Sequence, residues 1–362
     1  MYKKIVLAIP QLTGGGAERV ASVWANELYN RGYDTTILLL LRSKDEYYTD
    51  KNIKVFSVAE DKATYMKLSY IQRFIKIRKF LLYIQPDYII SFLPSMQVWM
   101  MMASKGLNVK RIETIRNNPW RISVTNPVDR FLWQQCYHSS YKIILQSLDQ
   151  RPFFSKKDQK KCVVIPNPIS ELYIENYKEE TSENPIEFIA AGRIDPQKNY
   201  KMMIKAFADV CLENKNLRLR IFGTGSESYI SEIKEYISKL HMQNNIFLMG
   251  RTPHLEKEYK KSDIFLLTSD YEGLPNVLME AMASQLVCIS TDCMTGPKDL
   301  INNGENGFLV PVGDDAKLAE VIRHVLMMTK EERAKMAKAA RNKVLSYCSK
   351  ENSIDSLCKL LV

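Results

Sequence analysis

A recurring unit constrains the fold of this chain more than any other feature. A short, almost unbroken apolar run is followed by a turn rich in glycine or proline, and then by a stretch of helical pattern. The runs in the first half are KIVLAIP (4–10), TTILLLL (35–41), NIKVFSV (52–58), YIISFL (88–93), RIETI (111–115), KIILQ (142–146) and KCVVIPNP (161–168). After a polar stretch at 170–185 that reads as a linker, the pattern restarts. It continues with IEFIAAG (186–192), LRLRIFGTG (217–225), NIFLMG (245–250), DIFLLTS (263–269) and LVCIST (286–291). Strands that are apolar on both faces, with helices between them, belong to parallel sheets covered on both sides. Helices are expected over 17–31, 67–85, 200–213 and 227–240, and from Ala316 to the end. The reading is two doubly wound α/β domains in series, which suits a chain of 362 residues. In such sheets ligands bind beyond the carboxyl ends of the strands, so functional motifs are expected on strand-to-helix loops.

Composition excludes several classes. Hydrophobic residues make up 46% and charged residues 25%, as in a core-forming globular chain. No apolar run approaches the roughly 18–20 residues that span a bilayer, and the opening MYKKIVLAIP is too short for a signal-peptide core. A cytoplasmic protein is expected. Seven cysteines without a CxxC pair and four histidines without an HxxxH spacing read as reduced thiols with no structural zinc. The net charge of +10 is one-sided. Residues 1–180 carry 27 Lys+Arg against 17 Asp+Glu, whereas residues 181–362 carry 24 of each. A basic first half points to an acidic partner there, and anionic lipid, lipid phosphate or nucleic acid all qualify. The segment LSYIQRFIKIRKFLLYIQ (68–85) places Arg73, Lys76, Arg78 and Lys79 in an amphipathic pattern. Such a helix either lies on an anionic membrane surface or is half-buried in the usual way. Aromatic strips for stacking bases are absent, so no nucleic-acid partner is expected.

Four motifs sit where ligand loops are expected. TGGGAERV (13–20) follows the first strand and opens the first helix, and its glycines allow an anion to approach the helix N-terminus. It matches neither GxGxxG nor a P-loop, and a glycine turn fitted for packing remains the alternative. In AGRIDPQKN (191–199), Arg193 and Lys198 could converge on one anion such as a diphosphate, or stand as solvated loop cations. IFGTGSES (221–228) is a strand followed by GxG at Gly223, without the acidic residue of a nicotinamide site. EGLPNVLMEA (272–281) starts a helix near Pro275, with Glu272 in the loop and Glu280 inside the helix. At about 1.5 Å rise per residue the two carboxylates are about 10 Å apart. That suits two tasks along one extended ligand better than a glycosidase pair. The alternative gives Glu272 to a helix cap and Glu280 to a buried ion pair.

GGAE near the start, GRxxxxKN opening the second half and the two glutamates eight positions apart resemble the GT4 family of retaining glycosyltransferases. VIPNP, GTGSE and TGPKDLINNGENGFLVPVGD (295–314) fit as well. The resemblance covers nearly the whole chain, and it is nearest to bacterial enzymes that extend capsule, O-antigen or lipid-linked oligosaccharides. It implies the GT-B fold, two Rossmann-like domains facing across a cleft. It divides the chain into an acceptor-binding domain at 1–168, a nucleotide-sugar domain at 182–345, and a C-terminal helix at 346–362 that packs back on the first domain. It implies a hexose or N-acetylhexosamine moved from a UDP-sugar to a lipid-linked or polysaccharide acceptor, with an α-linkage and neither cofactor nor metal. Arg193 and Lys198 would hold the leaving diphosphate, Glu280 the ribose, and Glu272 the transferred sugar. Gly15, Gly16, Gly223, Gly273, Leu274 and Asn276 would line the donor. The protein would work on the inner face of the cytoplasmic membrane, held to anionic lipid by its basic first half. A non-hydrolysing epimerase of UDP-N-acetylhexosamine shares the fold and is the alternative activity, and a basic nucleic-acid- or membrane-binding protein is the alternative outside enzymes. Two departures stand out. Gly-Leu-Pro replaces the family's Gly-Phe-Gly after Glu272. In TIRNNP, Arg116 stands near the place of a family histidine, so Arg116 and Asn117 are candidate donor or acceptor contacts.

Overall fold

The computed structural model describes residues 3–121, 127–184 and 186–362. Met1 and Tyr2 of the opening segment and Pro185 at the end of the polar stretch lie outside the described residues. The chain divides into two compact units. One comprises residues 1–168 with 351–362, and the other residues 169–350.

In the first unit the order is β1 (Lys4–Ile9), α1 (Gly16–Asn30), β2 (Asp34–Leu41), β3 (Lys54–Ala59), α2 (Lys62–Lys67), α3 (Tyr70–Ile84) and β4 (Tyr88–Phe92). Then come α4 (Pro94–Ala103), β5 (Lys110–Thr114), α5 (Pro127–His138), β6 (Lys142–Leu145) and β7 (Cys162–Val164). The seven strands form one sheet in the order β3-β2-β1-β4-β5-β6-β7, with every pairing parallel. Strand β4 is buried at all five positions, as its unbroken apolar run requires. The order reverses between β1 and β4, which marks the switch point where open sheets bind ligands.

The second unit runs α6 (Glu171–Glu175), β8 (Glu187–Ala191), α7 (Tyr200–Cys211), β9 (Arg218–Phe222), α8 (Glu227–Lys239), β10 (Ile246–Gly250) and α9 (Leu255–Lys260). It continues with β11 (Ile264–Leu267), α10 (Asn276–Ala283), β12 (Val287–Thr291), α11 (Pro297–Leu300), β13 (Phe308–Val310), α12 (Asp315–Met327) and α13 (Lys330–Tyr347). Its six strands are all parallel, in the order β10-β9-β8-β11-β12-β13. The last helix, α14 (Lys350–Cys358), carries Ile354 and Leu357 into the core of the first unit with Trp24 and Leu28.

Three elements differ from the sequence reading. The helix expected over 67–85 is α3, which starts three residues later, and the short helix α2 before it was not expected. Ser69 caps α3 by accepting from the Gln72 N–H, while the Gln72 side chain accepts from the Ser69 N–H at 2.8 Å. The polar stretch at 170–185 is not free linker. Tyr173 of α6 is buried against Tyr259 and Lys178 pairs with Asp263 at 2.5 Å. The terminal helical stretch is three helices, broken at Met328–Thr329 and again after Tyr347. Thr329 and Glu332 form a capping box at the first break.

Helix α3 has an unusual outer face. Residues 62–86 hold Lys62, Lys67, Arg73, Lys76, Arg78 and Lys79 and no acidic residue. Ile77, Phe80 and Leu81 turn inward. Ile71, Ile75, Leu82 and Tyr83 stay exposed, with Met66 and Tyr70 just before them. Three of the cations bind main-chain carbonyls and fix the helix: Arg73 to Tyr65, Lys76 to Val58, and Arg78 to Ala103 and Lys105. Lys62, Lys67 and Lys79 are exposed.

Candidate active site

Two loops of the second unit, far apart in sequence, meet beyond the carboxyl ends of adjacent strands. One follows β8 and holds Arg193 to Asn199. The other follows β11 and holds Thr268 to Pro275. Hydrogen bonds lace them together. Thr268 Oγ1 donates to the Lys198 carbonyl at 2.9 Å, and the Asp270 N–H donates to the Gln197 carbonyl at 2.9 Å. Gln197 Nε2 donates to the Tyr271 carbonyl at 2.8 Å, and Asn199 Nδ2 donates to Asp270 Oδ1 at 2.8 Å. Asn199 stands at φ 45°, a left-handed conformation that asparagine tolerates, and its side chain caps α7.

This lacing brings Lys198 and Glu272 together. The ammonium nitrogen lies 2.5 Å from Glu272 Oε1, and both side chains are about nine-tenths buried. Glu272 also accepts from Ser269 Oγ at 2.7 Å. Its main-chain carbonyl accepts from Thr295 Oγ1. A charge pair this enclosed is strongly coupled, so each partner fixes the other's position. Cys293 lies beside it, and burial together with the Glu272 charge pushes its thiol up to about 12.

Arg193 does not join the pair. It is largely exposed and leans on Asp195 at 3.3 Å and Gln197 at 3.5 Å. Lys198 is therefore pre-positioned, and Arg193 stands exposed at the rim. Glu280 lies in α10, 3% exposed, within the helix that Pro275 starts. Asn276 is the first residue of that helix, and Leu274 is buried beneath the loop. No side chain caps the start of α10.

The glycines of this unit are set by close approach. A Cβ on Gly223 would stand 1.8 Å from the Gly192 carbonyl oxygen, and Gly223 also adopts φ +149°. A Cβ on Gly296 would stand 2.0 Å from the Gly273 carbonyl oxygen. The neighbouring Thr295, fully buried, is held at φ 68°. A β-branched residue there is strained, and such strain gathers at functional sites. The sequence reading quoted TGPKDL but did not single out Thr295, Gly296 or Ser269. The Thr-Gly step was the available signal.

In the first unit, Gly15 is the N-cap of α1 and Gly16 its first residue. The Glu18 carboxylate lies over this turn, since a Cβ on Gly15 would meet Glu18 Oε2 at 2.1 Å. An acidic group there complements the helix dipole. Arg116 and Asn117 follow β5. Asn117 accepts at its carbonyl from Gln150 Nε2 at 3.1 Å, and Arg116 donates from Nη1 to Asn167 Oδ1 at 2.9 Å. Among the described residues, no group of three or more His, Cys, Asp or Glu side chains is arranged to hold a metal ion.

Two family models divide the chain between them. "Glycosyl transferase 4-like" matches residues 12–143, and "Glycosyl transferases group 1" matches residues 174–343, the stretch that holds both laced loops. The chain belongs to the group 1 glycosyltransferases. Among relatives of this glycosyltransferase, the amylovoran biosynthesis glycosyltransferase AmsD of Erwinia amylovora is 29% identical over 86% of each chain. The Campylobacter jejuni enzyme named GalNAc-alpha-(1->4)-GalNAc-alpha-(1->3)-diNAcBac-PP-undecaprenol alpha-1,4-N-acetyl-D-galactosaminyltransferase is 27% identical over 89% of each. Among solved structures, HepE of Anabaena in complex with UDP and glucose superposes with a TM-score of 0.82 at 17% identity, covering 99% of each chain. This glycosyltransferase therefore has the GT-B fold, as the sequence reading expected.

Proposed function

We propose that this glycosyltransferase moves a hexose or N-acetylhexosamine from a UDP-sugar to a lipid-linked oligosaccharide or polysaccharide, forming an α-linkage with retention and without a metal. The observation that carries this is the Lys198–Glu272 pair. It places a fixed cation against a fixed carboxylate at the strand ends, one suited to a leaving diphosphate and the other to sugar hydroxyls. The acceptor oxygen forms its bond to the anomeric carbon as the bond to phosphate breaks, and the acceptor proton passes to the leaving phosphate oxygen. Lys198, with Arg193 from the rim, stabilises the charge that develops there. Glu280 takes the ribose hydroxyls. Gly15 and Gly16 offer main-chain N–H groups, and Gly223, Gly273, Leu274 and Asn276 shape the donor's bed. The undecaprenol-linked relative and the UDP complex of HepE support this choice of acceptor and donor.

The test is a thermal shift panel of nucleotides and nucleotide sugars in EDTA. A ligand present at 100 times its Kd adds about 2.7 kcal/mol to stability. A shift with UDP and with one or two UDP-sugars is expected, reduced in Glu280→Ala. No shift with any nucleotide, or an unchanged shift in Glu280→Ala, overturns the reading.

Among the described residues no helix is long and apolar enough to cross a membrane. The reading places the protein in the cytoplasm, with the face of α2 and α3 on the anionic inner membrane surface. Apolar side chains of this size yield about 1.5–3 kcal/mol each when fully buried, and each nearby lysine adds about 1 kcal/mol on an anionic surface. Co-sedimentation with phosphatidylglycerol vesicles is expected, weakened in Ile75→Glu with Leu82→Glu and by high salt. Equal binding to neutral vesicles contradicts it.

A further inference from the structure

Arg116 leaves the carboxyl end of β5 and turns toward the switch point between β1 and β4. Its guanidinium carbon lies 4.5 Å from the ring centroid of Trp24 and 4.9 Å from that of Phe92. Trp24 belongs to the helix after β1 and Phe92 ends β4, so the two rings come from the two sides of that point. Both rings are wholly buried and fixed. Trp24 Nε1 donates to Ser353 Oγ at 3.3 Å, and that hydroxyl donates to the Pro166 carbonyl at 3.1 Å.

The guanidinium is poorly matched in charge. Nη1 donates to Asn167 Oδ1 at 2.9 Å, an oxygen that also accepts from Gln146 Nε2 at 2.9 Å. Nε and Nη2 are shut off from solvent and make no hydrogen bond. Among the described residues no carboxylate forms an ion pair with it. Burial alone pushes its pKa down to about 9. Other deep arginines are compensated. Arg111 meets Glu113 at 3.0 Å and Ser139 at 2.6 Å, and Arg333 is held by the carbonyls of Met328, Ser182 and Glu183. Aromatic faces offset part of the cost of a desolvated cation, but an uncompensated buried charge remains expensive. Aspartate at 167 would supply the missing carboxylate in the shape of the asparagine. With asparagine there, the positive charge has no counter-ion among the side chains around it.

We propose that Arg116 binds an anionic oxygen group on the acceptor, either a phosphate of a lipid-linked diphosphate or the carboxylate of an acidic sugar, and that Asn167 and Gln146 hold it in place. This rests on the glycosyltransferase reading above, which gives the donor's diphosphate to Lys198 and Arg193 and leaves Arg116 to the acceptor.

The experiment uses the full chain saturated with UDP. Thermal shift and calorimetry are then read with inorganic pyrophosphate, which stands for the phosphate source, and with D-glucuronate, which stands for the sugar acid. One of the two is expected to add a shift beyond UDP, and that probe names the source. A charge-assisted hydrogen bond contributes about 1.5–3 kcal/mol, so Arg116→Gln and Asn167→Asp should weaken the probe about tenfold or more while keeping the UDP shift. Asn167→Asp should also raise the unliganded Tm, because it pairs the cation internally. That combination separates a recognition role from a purely structural one. The proposal is overturned if neither probe adds a shift, or if the added shift survives in both variants. If UDP itself gives no shift, the donor reading fails, and the probes are read without it. A UDP shift with no probe shift fails this inference alone.

Discussion

At the carboxyl ends of their strands, the two units handle charge in opposite ways. In the second unit, Lys198 is matched by Glu272 inside a mesh of side-chain and main-chain hydrogen bonds. In the first, Arg116 rests on two aromatic rings and one asparagine. A matched pair is held rigid and can exchange partners with a ligand at little reorganisation. An unmatched cation is completed only when an anion arrives. The same asymmetry appears on the outside. Residues 181–362 carry as many acidic as basic residues, 24 of each, whereas the outer face of α3 shows lysines among Ile71, Ile75, Leu82 and Tyr83. A rigid, balanced second unit suits one invariant ligand part, and a basic, open first unit suits a large acidic or lipidic one.

The strongest way to break this comparison is to remove its fixed cation. Lys198→Ala should lower the transfer rate by about 10²–10³-fold, the usual effect of losing one pre-positioned group on a developing charge. Arg193→Ala, at the exposed rim, should cost about tenfold, or about 1.4 kcal/mol. Steady-state kinetics decide, and equal losses would mean that pre-positioning is not what distinguishes the two cations.

Backbone packing offers the next largest contrast. Gly223→Ala drives a Cβ into the Gly192 carbonyl at a φ that alanine avoids, and should cost about 2–4 kcal/mol. Gly106→Ala in the first unit meets open space at φ +77°, and should cost only about 1–2 kcal/mol for the left-handed conformation. Urea unfolding of both variants gives the comparison. A small cost at Gly223 would show that the second unit's loops are looser than their lacing implies.

The smallest effect sharpens the first unit. Glu113 is wholly buried, and burial outweighs Arg111, Ser91 and Cys136 to push its pKa from 4.5 to about 7. The folded state then holds a proton that the unfolded state has released. Stability from this group is present below about pH 4.5 and is lost as pH rises through about 7. Glu113→Gln should flatten that slope. A slope of the same size in Glu113→Gln would assign it elsewhere.

Much of this was legible in the chain. Each apolar run read as a strand is a strand, because a sheet covered on both faces needs apolar residues at every position and so leaves an unbroken signal. Strand β13, Phe308–Val310, was not read because three apolar residues between a glycine and a proline are too short to stand out as a run. The start of α3 was read three residues early inside a continuous amphipathic pattern, although Ser69 and Gln72 have the spacing of a capping box. At the site, Glu272 and Lys198 were both named, but their contact was not foreseen, since 74 residues separate them. Arg193 and Lys198 were read as able to converge on one anion or to stand as solvated loop cations. The structure turns Lys198 inward and leaves Arg193 at the rim. Neighbours in a loop share no direction until the loop's own hydrogen bonds are made.

By itself, the sequence determined the class of fold, the two-part plan, the side of the chain that is basic, and which residues could carry charge to a ligand. These follow from periodicity and composition, which are local properties. Only the tertiary structure decided which charges are paired. Whether a cation is spent on a partner depends on side chains brought within about 3 Å by strands distant in the chain. The sequence presents Lys198, Arg193 and Arg116 alike as loop cations. Packing makes the first a matched partner, leaves the second exposed at the rim against Asp195, and makes the third a buried charge with its counter-ion missing.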